Sequence, residues 1–323
     1  MGEKFSSFER VVGDVSETDK EQILQAAGER FDDQRFVDLE KQEREKTEVE
    51  LKIIDVANEA TNKLRRKYGL SDFEIPPKNI HVIKEGDWPL KDSAVYDSMK
   101  QGVVMREQPA NIVFLRHALH EMLHFKSYQA LQVTQGADRK LNEYRIGLVA
   151  HTRDDKNRYF INLNEAVTEE LTRRMVLELS DDPLFADEKK NTALTIKKHP
   201  HTRADSGGQL FNEDTYYATT DKVKTWKQAV GRVFGTKRMF GQNFTYRRER
   251  KIFNILADKI FEGNRGQFKD KEEVFEVFCN GMMTGNILPV GRLIDGTFGQ
   301  GTLRRIGELD RNIDGQEEFV DSL

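Results

Sequence analysis

The sequence predicts an α+β chain in which a small sheet packs on helices in a first lobe and a mainly helical lobe follows. Three observations predict it. Apolar residues recur at helical spacing through residues 49–68, 112–123 and 164–179. Short β-branched runs, Ile80-His81-Val82-Ile83 and Gly102-Val103-Val104-Met105, stand between them as strands. From residue 213 to 310 the periodicity is helical, punctuated by Gly235, Gly241, Gly263, Gly266 and Gly285.

Residues 1–48 read as a charged N-terminal helical segment. Thr18-Asp19-Lys20-Glu21 forms a capping box ahead of Ile23, Leu24 and Ala27, and the mixed-charge run from Leu39 to Lys46 reads as a solvated helix face. The first lobe, with the zinc-binding motifs expected in it, spans 49–182. It opens with a helix from Val49 to Tyr68 that stops at Gly69, turns at Pro76-Pro77, and enters the first strand, where His81 reads as structural. Pro109 precedes a helix whose apolar face is Ile112, Leu115, Leu119, Met122 and Leu123. Strands at 145–152 and 158–162 flank Asp154-Asp155-Lys156-Asn157 as a hairpin, and a further helix runs from about Asn164 to Leu179. Residues 183–212, with His199-Pro200-His201, read as a flexible loop or boundary. The helical lobe, 213–323, carries helices at 223–234, 246–261, 271–283 and 288–309, and ends in an acidic tail from Asp310 expected to fray.

At 323 residues the chain can bury a substantial core. Charged residues make up 33%, above the usual quarter, so the surface is very polar. Lys and Arg number 51 against 55 Asp and Glu, which gives no global attraction to nucleic acid or to an anionic membrane. One cysteine, Cys279, leaves no internal disulfide, and its apolar context reads as a buried thiol. With no apolar leader after Met1 and no run long enough to span a bilayer, the expectation is a cytoplasmic protein. Oligomeric state leaves no sequence signal.

The chemistry concentrates in His117-Ala118-Leu119-His120-Glu121-Met122-Leu123-His124. Residues four apart on a helix share a face, so His120 and His124 can aim their imidazoles at one metal ion. Glu121 then sits within reach of a metal-bound water, the position of a general base. A catalytic zinc takes three protein ligands, and Asn164-Glu165-Ala166-Val167-Thr168-Glu169 offers a third in Glu165. Glu169, one turn on, can accept a hydrogen bond from the distal nitrogen of His120 and fix its tautomer.

These two motifs resemble the signature of the gluzincin metallopeptidases, the thermolysin-like family, over about residues 100–180. The resemblance implies one zinc ion held by His120, His124 and Glu165, with Asn164 and Glu169 supporting it. It also implies a gluzincin-like lobe with an edge strand at 102–106 able to pair with an extended peptide, the alternative being an internal strand of the same sheet, and a helical lobe closing the cleft. Glu165 follows His124 by 41 positions, about twice the gap in thermolysin, so the insert folds as a separate unit. For a group that binds substrate or the developing oxyanion the candidates are His151, Tyr159, Tyr246 and Arg247. His117, three residues before His120, reads as a supporting residue. The expected function is a zinc-dependent metallopeptidase acting on a peptide or protein through water attack with Glu121 as base. The alternatives are a zinc hydrolase for non-peptide amides and a noncatalytic module stabilised by zinc, which would not need Glu121.

Overall fold

The computed structural model describes residues 7–32, 42–134, 139–198, 214–219 and 240–323. The expected helix at 223–234 and the pair His199 and His201 lie outside the described residues.

The architecture is α+β. Strand β1 (Phe8–Val12) precedes helix α1 (Glu17–Asp32), strand β2 (Glu43–Arg44) and helix α2 (Glu48–Lys67). Strands β3 (Ile80–Ile83), β4 (Ala94–Asp97) and β5 (Gly102–Arg106) lead into helix α3 (Asn111–Lys126). Strands β6 (Gln129–Val133), β7 (Leu141–Ile146), β8 (Val149–His151) and β9 (Arg158–Tyr159) then lead into α4 (Ile161–Leu179). Helix α5 (Ala186–Lys198) and the ladder β10 (Thr215–Thr219) with β11 (Phe240–Asn243) come next. The chain ends in α6 (Arg247–Gly263), α7 (Lys271–Thr284), α8 (Leu288–Phe298), α9 (Thr302–Glu308) and α10 (Ile313–Ser322).

One sheet has the order β2-β3-β5-β4 and a second the order β1-β6-β7-β8-β9. Helix α3 is buried nearly all round, its polar Arg116, His117, His120, Glu121 and Lys126 included. Its Phe114, Leu115, Leu119 and Phe125 join Ile53, Ile54 and Ala57 of α2 and Val103 and Met105 of β5 in one core. A second core is built by α6 to α10 with Leu163, Ala166, Val167 and Leu171 of α4. Helix α4 thus belongs to both, with Val176 in the first and Leu171 in the second. The helices that carry the two motifs are therefore clamped between the cores.

Several expectations need correction. Strand 102–106 is not an edge: β5 pairs in parallel with β3 and antiparallel with β4, which leaves neither side open. The edge on that side of the sheet is β4, whose Ala94-Val95-Tyr96-Asp97 gives no clear strand pattern. The expected strand 145–152 is broken by a tight turn at Gly147 (φ +55), where a Cβ would lie 2.5 Å from Asn164 Oδ1. The cap of α1 is Ser16, whose Oγ accepts from Asp19 N at 3.1 Å, rather than Thr18. In the charged run from Leu39, Glu43 and Arg44 pair with Ile83 and Val82 as a strand. The supposed loop at 183–212 contains α5, and the 288–309 helix breaks at Gly299 and Gly301, both at positive φ. The acidic tail forms α10, because Arg248 and Lys251 of α6 pair with Glu317 and Val320 is fully buried.

Both motif helices are capped by carboxylates distant in sequence. Ala110, before α3, supplies no side-chain cap, and Glu188 of α5 instead accepts from Asn111 N at 2.9 Å and Ile112 N at 2.8 Å. Phe160, before α4, is left-handed at φ 68, and Asp310 accepts from Ile161 N at 2.6 Å. Burial pushes the Asp310 carboxyl up to about 6, against the hydrogen bonds it accepts.

Candidate metal centre

The 3.6-residue period of α3 and α4 sets the site. On α3, Arg116, His120 and His124 follow one another at intervals of four on a single face; on α4, Glu165 and Glu169 do the same. Where the faces meet, Nε2 of His120 lies 3.2 Å from Nε2 of His124. Oε2 of Glu165 lies 3.3 Å from the first and 3.4 Å from the second. A tetrahedral ion with bonds of about 2.0–2.1 Å spaces its donor atoms by roughly 3.3 Å. The triangle has that size, and these three residues could hold a metal ion. Oε2 of Glu165 is also buried without a hydrogen-bond partner from the protein, as a ligand atom would be.

Glu169 organises the next layer. Fully buried, it takes Arg116 Nη2 at 2.6 Å on Oε2 and Thr245 N at 2.7 Å on Oε1. His120 Nδ1 lies 2.8 Å from the same Oε2, so a proton on Nδ1 leaves the Nε2 lone pair for the cleft. Asn164 Nδ2 lies 3.4 Å from His124 Nδ1, while Asn164 Oδ1 accepts from Leu148 N at 2.9 Å and so seats the Gly147 turn against the site. Arg116 donates to Thr245 Oγ1 and, at 2.9 Å, to Nδ1 of His117. Burial and the Arg116 charge hold His117 well below the ordinary imidazole range, and as a neutral acceptor it supports the guanidinium.

Charge follows the same layout. Burial works against a charged His120, but the adjoining Glu165 and Glu169 carboxylates overcome it and push the imidazole up to about 9. Burial would raise Glu169, yet Arg116 beside it holds it well below the usual carboxylate range. Glu121 is buried, and its Oε2 accepts from Tyr96 N of the β4 edge at 2.8 Å. The tyrosine ring stacks on Phe125 at 4.5 Å, which fixes the strand against α3.

These groups open onto a cavity of about 320 Å³ between β4, the β7–β8 hairpin and Tyr246. Tyr246 stacks on His120, with ring centroids 5.6 Å apart and planes 6° apart. Its left-handed backbone (φ 51) follows directly on Thr245, whose N–H is bound to Glu169. Desolvation in the cleft, then the Glu165 and Glu121 carboxylates, push its phenol well up, so it stays protonated.

Of the other candidates, His151 lines the cavity, with Nδ1 3.0 Å from Asp155 Oδ1. Tyr159 does not line it; its ring lies 6.3 Å from that of Phe160. Arg247 faces a different cavity and pairs with Asp214 at 3.3 Å, drawn there with Arg250 at 2.9 Å. Tyr96 and Thr245 escape sequence reading because they act through backbone N–H groups. Arg116 does carry a signal, its spacing of four from His120. Among the described residues no helix is long and apolar enough to cross a membrane. No protein-family model, curated protein or solved structure gives a significant match to the chain.

Proposed function

We propose that this chain is a zinc-dependent metallopeptidase of gluzincin type. The observation that carries the reading is the near-equilateral triangle of His120, His124 and Glu165 donor atoms, with Glu121 and Tyr246 on the same cavity. Two imidazoles and one carboxylate suit zinc. A zinc ion held by them supplies Lewis acidity, polarising a carbonyl and easing deprotonation of water.

The chain's own residues do the rest. Glu121, steadied through Oε2 by Tyr96 N–H, takes the proton of the attacking water and delivers it to the leaving amine. Tyr246, kept protonated by its surroundings, donates to the oxygen that gains charge as the carbonyl carbon becomes tetrahedral. Glu169 holds His120 in its metal-facing orientation, and Arg116 keeps Glu169 ionised. An extended substrate lies along β4, the edge nearest Glu121.

The test is metal content and casein hydrolysis for the wild type, Glu121→Gln and Glu165→Ala. One equivalent of zinc and hydrolysis are expected in the wild type. Glu121→Gln should keep the zinc and lose at least about 10²-fold in turnover, and Glu165→Ala should lose both. Undiminished hydrolysis by Glu121→Gln refutes the mechanism.

A further inference from the structure

Strand β7 departs from regular alternation beside the cleft. Arg145 pairs with Ala130 and Glu143 with Leu131, so two steps on β7 match one on β6 and Tyr144 is the extra residue of a bulge. In a regular strand, residues three apart face opposite sides. Here Glu143 and Ile146 both line the metal cavity. The bulge is what turns the Glu143 carboxylate into the cleft.

Its surroundings hold that carboxylate without neutralising it. Oε1 accepts from Ser98 Oγ, just beyond the end of β4, which pins Glu143 alongside the edge where the substrate lies. Oε2 lies 3.5 Å from Nε2 of His151, whose Nδ1 faces Asp155. Two carboxylates therefore share one imidazole; Arg158 and Asp92 also line the cavity and offset one another, so a negative charge is left over whether or not His151 is protonated. Glu143 remains 21% exposed to the cavity. At about 320 Å³ the cavity is at the small end of ligand clefts, so this charge addresses a residue adjoining the scissile bond.

We propose that Glu143 is a specificity-determining residue that seats a positively charged substrate group, an ammonium or guanidinium; the inference rests on the peptidase reading above. Two sources supply that chemistry: a lysine or arginine side chain within a peptide, or the free α-amino group of its first residue.

The probes are N-acetylated, C-amidated alanine hexapeptides carrying a single lysine, leucine or glutamate at each inner position, and the leucine set with a free amino terminus. Binding is titrated calorimetrically on zinc-loaded Glu121→Gln protein, so the readout does not need turnover. Lysine at one position, or the free amine, should bind about tenfold tighter than its uncharged counterpart. Adding Glu143→Gln should erase the difference, and adding Glu143→Lys should turn it towards glutamate. Whichever probe set shows the advantage identifies the source. Equal binding of charged and uncharged probes, a preference that survives Glu143→Gln, or no binding of any probe overturns the inference. Hydrolysis by the zinc-loaded wild type is measured separately. A charge preference without hydrolysis sinks the peptidase reading and leaves the subsite, and hydrolysis without a preference sinks the subsite alone.

Discussion

Replacing Arg116 by methionine tests the layer behind the ligands. The change keeps much of the side-chain volume and removes the cation from Glu169, which is fully buried. Removing one partner of a buried ion pair costs about 3–5 kcal/mol, because the remaining charge is stranded. Glu169 keeps two of its neighbours, Thr245 N–H at 2.7 Å and His120 Nδ1 at 2.8 Å, which places the expected loss near the lower end, about 3 kcal/mol. Urea denaturation of the metal-free protein measures it. The double variant Arg116→Met/Glu169→Gln removes the stranded charge and should recover at least about 1 kcal/mol relative to Arg116→Met alone. Zinc affinity, read by competition with a chromophoric chelator, should fall about 10–100-fold in the single variant as His120 loses its fixed orientation. A single-variant cost under about 1 kcal/mol, or a double variant at the sum of the two singles, would refute the compensation of Glu169 by Arg116.

Metal binding should follow pH through His120. Its imidazole is pushed up to about 9, so an incoming ion displaces a proton below that value and apparent affinity should climb about tenfold per pH unit from 7 to 9; a flat chelator-competition profile contradicts this. In the metal-free protein the sign is opposite: the folded value exceeds the ordinary one near 6.5, so the stabilisation is complete below about pH 6.5 and is lost as pH rises through 9, which thermal melts can follow. Tyr246→Phe removes the donor but keeps the ring on His120, and should lower kcat about 10²-fold with KM nearly unchanged, whereas a loss confined to KM would assign Tyr246 to binding. Glu188→Ala strips two acceptors from the start of α3 and should cost about 1–2 kcal/mol in denaturation without abolishing zinc stoichiometry; no loss would mean that water caps α3 equally well.

Residues legible in the sequence and residues hidden in it differ in one physical respect. His120, His124, Glu165 and Glu169 lie on two helices, where a spacing of four fixes a shared face whatever else the chain does, and Glu121 follows His120 directly. The α+β class is legible for the same reason, since local periodicity suffices for it. The strand at 94–97 is not, because Ala94 to Asp97 is held as a strand by pairing with β5 and by Tyr96 N–H on Glu121. Glu188 and Asp310 cap the motif helices from 76 and 149 positions away, a distance over which no pattern extends. Arg247 misleads because Asp214 draws it away from the cleft, and Glu143 gives no signal because the bulge that turns it inward depends on pairing with β6.

The charges packed around the two motif helices favour a divalent ion independently of the donor geometry. Glu121, Glu165 and Glu169 contribute three negative charges and Arg116 one positive, which leaves −3 + 1 = −2 in a region where all four side chains are buried or nearly so. A low-dielectric interior tolerates such an imbalance poorly. A proton on His120 relieves half of it, consistent with an imidazole held well above its ordinary range. A dication at the His120, His124 and Glu165 donors would relieve all of it and return His120 to neutrality. Arg116 is therefore what matches the site to a double charge: without it the balance would be −3, and one divalent ion would leave a carboxylate uncompensated.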